Sequence, residues 1–108
     1  MDQIGQLEQL VMLAILRLRP EAYGVALQKE LKTRTGREYS VGAIYAVLDK
    51  LEGKGFVKPK QGEATPERGG RAKLYFNLTG SGQSALQASL QAIDNLRANT
   101  KLVPVLLR

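Results

Sequence analysis

The sequence contains no cysteine and no histidine. That rules out disulfides, thiol nucleophiles and thiolate metal sites, and removes the commonest general base and metal ligand. Most hydrolytic and metal-dependent chemistry is thereby disfavoured, so no enzymatic activity, metal site or cofactor is expected. Tryptophan is absent and aromatics make up only 6% of residues, against 44% hydrophobic. A core must therefore be built from Leu, Val, Ile and Ala, which suits packed helices. No apolar run approaches the roughly 20 residues of a membrane span, and the opening MDQIGQLEQ lacks the basic-then-apolar order of a secretory signal. A cytoplasmic chain without a membrane partner is expected, and 108 residues leave room for one core.

Positive charge is in surplus. Sixteen Lys and Arg oppose ten Asp and Glu, a formal charge of +6, and such a surplus on a small chain points to a polyanionic partner. Lys50, Lys54, Lys58, Lys60, Arg68, Arg71 and Lys73 crowd one stretch, diluted by Asp49, Glu52, Glu63 and Glu67.

Periodicity supplies the architecture. Leu7, Leu10, Val11, Ala14, Ile15 and Leu18 form the i, i+3, i+4, i+7 stripe of a helix over residues 6–18. Met12, Leu13 and Leu16 widen that stripe, so a second buried surface is expected, most simply a dimer contact. A second helix is predicted from about Ala22 to Thr35, with Val25, Ala26, Leu27 and Leu31 as its apolar set and Gly36 as its stop. Ser40 is placed to cap a third helix in which Ile44, Val47, Leu48 and Leu51 face inward, and Gly53 and Gly55 should end it in a left-handed turn.

Beyond Gly55 the period becomes two. Phe56 to Lys60 reads as an edge strand containing Pro59, Gly62 to Gly70 as a loop, and Arg71 to Leu78 as a strand. In that second strand Ala72, Leu74, Phe76 and Leu78 share one face and Arg71, Lys73, Tyr75 and Asn77 the other. Thr79 or Ser81 can cap a last helix reaching about Thr100, with Leu86, Leu90, Ile93 and Leu96 as its stripe. The apolar tail Leu102 to Leu107 should dock on this subunit or on a partner.

The resulting order is α-α-α-β-β-α, mainly α with a small β-hairpin: a winged helix-turn-helix. Residues 1–79 are expected to form the nucleic-acid-binding part and 80–108 a C-terminal helix and apolar tail, together one compact unit. In such a fold the third helix enters the major groove of double-stranded DNA and the hairpin reaches along the backbone or into the minor groove. Gly42 and Ala43 allow close approach, Tyr45 can donate to a phosphate, and Lys50, Lys60, Arg71 and Lys73 supply counter-charge.

Simpler readings remain open at several of these positions. Tyr45 can be a half-buried aromatic beside Ile44 and Leu48, and the hairpin lysines can be a solvated edge. Asp49 fits least well, because a carboxylate facing the groove repels phosphate unless it pairs with Lys50 or Lys54 or accepts from a cytosine amine. Gly80-Ser81-Gly82-Gln83-Ser84-Ala85 has the form of a dinucleotide-binding loop. No second strand follows to complete a βαβ unit, so these glycines simply end the strand and start the helix.

The combination resembles the PadR family of bacterial transcriptional regulators. The matching pieces are Leu10 to Leu18 followed by Tyr23-Gly24, SVGAIYAVLDKL over residues 40–51, EGKGFV over residues 52–57 and GRAKLYFNLTGSG ending at Gly82. The resemblance implies a homodimer, usually a repressor, on a roughly palindromic operator. The residues at the DNA are then Ser40, Val41, Gly42, Ala43, Tyr45 and Ala46 with the basic positions above, and Leu13, Leu16, Leu86, Leu90, Ile93 and Leu96 make the dimer. Two such units read half-sites about one helical turn, ~34 Å, apart. Short members with one helix after the wing include some that bind flat aromatic effectors at the dimer interface, and they often place an aromatic in the last helix. This sequence has none after Phe76. Two alternatives to the plain regulator remain: a winged helix that binds another protein through its apolar tail and the Asp49 side, and a sensor whose small-molecule effector drives DNA release.

Overall fold

The computed structural model describes residues 3–64 and 72–102, without the side chains of Glu63, Ala64 and Ala72. The elements run α1 (Gln6–Leu18), α2 (Gly24–Thr35), α3 (Val41–Gly53), β1 (Val57–Ala64), β2 (Ala72–Leu78) and α4 (Gly80–Arg97). This is a mainly helical winged helix-turn-helix with one antiparallel hairpin.

Local signals set most boundaries. Ser40 Oγ accepts the Ala43 N–H at 3.0 Å and starts α3, and Thr79 Oγ1 accepts the Gly82 N–H at 2.9 Å and starts α4. Gly36 takes the left-handed conformation at φ 74° and closes α2. After α3 only Gly55 does so, at φ 77°; Gly53 is still helical. At α1 the Glu8 carboxylate reaches back to the Gly5 N–H at 2.8 Å.

The core is one cluster. Val11, Met12, Ala14 and Ile15 of α1 meet Leu27 and Leu31 of α2 and Ile44, Val47, Leu48 and Leu51 of α3. Phe56, Val57 and Phe76 close it from the hairpin side, and Leu86 brings the first half of α4 into the same core. Met12 therefore belongs to the core, not to a second surface, while Leu13 and Leu16 are only half-buried. Val25 and Leu74, both expected inside, lie 44% and 39% exposed. The reason at Leu74 is reach: only the base of the hairpin lies over the helices, so Phe76 is covered and the residue two positions further out is not.

The hairpin is longer than its sequence pattern. Val57 pairs with Leu78, Lys58 with Asn77, Pro59 with Phe76, Lys60 with Tyr75 and Gln61 with Leu74, and the register shifts before Ala64 pairs with Ala72. Gly62 to Ala64 thus extend β1, and the rest of the expected loop, with Arg68 and Arg71, lies outside the described residues. The other edge of β2 is partly covered: the Phe76 N–H donates to Ala22 O at 2.9 Å, and Tyr23 forms a bridge with Tyr75. That pairing leaves β1, with Pro59, as the open edge.

Two glycines allow close contacts. A Cβ at Gly82 would be driven into the Phe56 carbonyl, the same oxygen that accepts the Thr79 N–H. A Cβ at Gly24 would stand 2.6–2.8 Å from the Tyr45 ring and hydroxyl. Gly82 thus seats the start of α4 on the turn after α3, and Gly24 seats α2 against α3.

Candidate nucleic-acid interface

Helix α3 turns Ile44, Val47, Leu48 and Leu51 into the core. By helical geometry the opposite face is Gly42, Ala46, Asp49 and Gly53, flanked by Tyr45 and Glu52 on one side and Ala43 and Lys50 on the other. Gly42, Ala46, Asp49 and Lys50 are exposed, and Val41 and Ala43 are half-buried. The N-terminal half of this face has only small side chains, so its backbone can approach a surface closely. The first turn has no acidic residue, which leaves the positive end of the helix dipole uncompensated and suited to phosphate. Ser40 sits at that end; its oxygen caps the helix, and its O–H can still donate.

Tyr45 is both a packing and a surface residue. Its ring lies on Gly24 and meets Phe76 at a centroid distance of 6.3 Å and 66° between planes, yet it remains 36% exposed. Its hydroxyl makes no hydrogen bond to another described residue. A phenol held by its ring with a free hydroxyl is pre-oriented to donate, at little entropic cost.

The hairpin register places Lys58, Lys60, Lys73, Tyr75 and Asn77 on the face directed away from the core. Lys58 and Lys60 are exposed. Lys73 is half-buried, its Nζ 4.2 Å from the centroid of the Tyr23 ring, and Tyr23 meets Tyr75 edge-on at 5.8 Å and 88°. Gly62 leaves room for the Tyr75 ring to cross the hairpin, since a Cβ there would lie 2.5 Å from Tyr75 Cε2. Lys73 is therefore held by an aromatic platform instead of being freely solvated. Lys58 belongs to the basic stretch but not to the expected counter-charges, although its i, i+2 spacing to Lys60 puts both on one side of a strand.

Lys54 does not belong to this basic surface. Its Nζ donates to Glu8 Oε2 and to Gln3 O, both at 2.8 Å, and its side chain is 23% exposed. Burial raises the Glu8 carboxyl, but the Lys54 hydrogen bond, the Gly5 N–H and the charges of Lys54 and Lys50 outweigh it and hold the group below the ordinary carboxylate value. Pairing with Glu8 and Gln3 O engages Lys54, one of the two lysines that could have paired with Asp49.

At the other side of the molecule, α1 and α4 enclose a groove of about 340 Å³ lined by Leu13, Leu16, Leu86 and Leu90 with Gln83, Gln87, Gln91 and Asp94. Leu86 is only 2% exposed within the single chain, so its side chain is already committed to the core. Leu90 is half-buried, and Ile93 and Leu96 are 49% and 82% exposed on the outer half of α4. Gln9 Nε2 donates to Ser89 Oγ and fixes α4 across α1. Leu102 is exposed, and the remainder of the apolar tail lies outside the described residues.

Among the described residues no helix is long and apolar enough to cross a membrane, and no group of His, Cys, Asp and Glu could hold a metal ion. No curated protein matches the chain significantly. Solved structures do. A PadR-like transcription factor from Bacteroides fragilis is 26% identical, with 86% of this chain and 84% of that chain covered and a TM-score of 0.71. A PadR family transcription regulator from Clostridium difficile is 22% identical over 86% and 92% of the two chains, TM-score 0.67. A PadR-like transcriptional regulator from Bacillus cereus is 21% identical over 86% and 92%, TM-score 0.65. The sequence profile of the transcriptional regulator PadR-like family matches residues 12–88, from the middle of α1 through both strands into α4. On that match the chain belongs to the PadR-like family of transcriptional regulators.

Proposed function

We propose that the chain is a sequence-specific DNA-binding regulator that acts as a homodimer on a roughly palindromic operator, usually to repress. The observation that supports this reading best is that two surfaces are tied together through the start of α2, where the Tyr45 ring of α3 lies on Gly24 and the neighbouring Tyr23 carries Lys73 and meets Tyr75 of the hairpin. One is the small-residue, dipole-positive start of α3 with the Tyr45 hydroxyl, and the other is the lysine face of the hairpin. Together they suit a major groove and an adjacent phosphate strand. Ser40, Val41, Gly42, Ala43, Tyr45, Ala46 and Lys50 would approach the groove, and Lys58, Lys60 and Lys73 would neutralise phosphates.

Helix α4 offers the surface for a second copy. Ile93 and Leu96 project from a helix whose outer half is exposed along its whole circumference, and with Leu90, Leu13 and Leu16 they form an apolar strip suited to the same strip on another copy. In this arrangement a small molecule that changed operator affinity would act through the α1–α4 groove by linkage. The groove's leucine and glutamine lining holds no aromatic ring to stack on a flat ligand.

The test is a gel shift on the region upstream of the protein's own gene across a salt series. Affinity should fall steeply with salt, by a slope of about −0.9 per neutralised phosphate. Binding that is absent, or indifferent to salt, would leave the protein-binding alternative standing.

A further inference from the structure

Asp49 is the one acidic side chain at the centre of the outward face of α3, and no described residue pairs with it. On a helix only the residues three and four positions away are neighbours, and for Asp49 these are Ala46, Tyr45, Glu52 and Gly53. None is a cation. Lys50 is adjacent in sequence and points to a different face, and Lys54 is engaged by Glu8 and Gln3 O at 2.8 Å. Asp49 is exposed and makes no hydrogen bond or ion pair with any described residue. Its stripe partners Gly42, Ala46 and Gly53 have no polar side-chain atom, so on the line of closest approach Asp49 holds the only side-chain group able to form a hydrogen bond.

An unneutralised carboxylate in that place opposes phosphate and can be offset only by a partner that donates. In the major groove the donors on base edges are the cytosine N4 and adenine N6 amines. The adenine amine stands beside N7, whose lone pair repels a carboxylate, whereas the cytosine amine stands beside a C–H. We propose that Asp49 is a specificity determinant: it accepts a hydrogen bond from the N4 amine of one cytosine in each operator half-site. The proposal rests on the reading of α3 as the helix that enters the groove.

Selection of bound sequences from a random double-stranded DNA pool, with the full-length wild-type, Asp49→Ala and Asp49→Asn proteins, tests it. The wild type should select a motif with cytosine at one position per half-site, about 10-fold over the other bases. Asp49→Ala should lose the preference at that position alone. Asp49→Asn should move it to adenine, because the amide can both accept from N6 and donate to N7. If both variants select the wild-type motif, or if Asp49→Ala merely binds every sequence more tightly, the carboxylate is a repulsive bystander and the proposal fails while DNA binding stands. A wild type that selects no motif and binds without salt dependence overturns the DNA reading itself.

Discussion

Lys54→Met separates a structural lysine from the DNA-facing ones. Methionine keeps the length and apolar stem of the side chain but removes the ammonium that lies 2.8 Å from both Glu8 Oε2 and Gln3 O. The Glu8 carboxylate, 9% exposed, then keeps only the Gly5 N–H. Net charge-assisted hydrogen bonds contribute about 1.5–3 kcal/mol, and stripping one partner from a buried pair costs about 3–5. The lysine end is 23% exposed, so water recovers part of the loss, and a destabilisation of about 2 kcal/mol is expected. At fixed protein concentration the urea midpoint should fall by roughly 1 M.

Glu8→Gln completes a double-mutant cycle with a coupling of about 1–2 kcal/mol. The pH dependence has a definite sign. The folded state holds the Glu8 carboxyl below its ordinary 4.5, so the unfolded chain binds the proton more readily. The extra stability is complete above the ordinary glutamate value and is lost as pH falls through the lower folded value. The stability gap between wild type and Glu8→Gln should therefore close in acid. Operator binding of Lys54→Met, measured where it stays folded, should keep the wild-type salt slope. An unchanged urea midpoint together with a slope reduced by about one phosphate contact would refute the assignment of Lys54 to the α1–α3 clasp.

Other perturbations address other contacts. Gly82→Ala drives a methyl into the backbone carbonyl of Phe56, a rigid obstacle, and should cost about 3 kcal/mol by denaturation; a cost near zero would mean that α4 is free to shift. Tyr23→Leu removes the ring beneath Lys73 and the edge contact to Tyr75. It should weaken operator binding roughly 3-fold, with Tyr23→Phe restoring it, whereas an equal loss in both variants would rule out the cation–π platform. Leu90→Glu, beside the α1–α4 groove, should give monomers by light scattering and abolish specific binding. A dimer of full affinity would displace the proposed interface.

What could be read from the sequence follows from the range of the forces involved. The four helices, the caps at Ser40 and Thr79 and the stops at Gly36 and Gly55 depend on residues within one turn of each other, and these are realised, although Val25, Ile93 and Leu96 of the expected stripes lie exposed. The charge surplus and the period change at Gly55 likewise placed a lysine-bearing hairpin after α3. The extent of that hairpin was hidden, because strand pairing of Gly62 to Ala64 is conferred by β2 and not by their own composition.

Nor could sequence show which lysine is free. Lys54 and Lys50 look alike until the fold brings Glu8, 46 residues away, against Lys54. Leu74 and Phe76 alternate identically, and only the reach of the helices beneath the hairpin covers one and not the other. Tyr45 was open between packing and contact; Gly24 and Phe76 show the packing, and the ring stays 36% exposed. The sequence by itself determined the order of elements and where each begins. The tertiary structure decided which charges remain unpaired on the surface, because a charge is neutralised by whatever the fold sets within hydrogen-bond distance, and that distance has no counterpart along the chain.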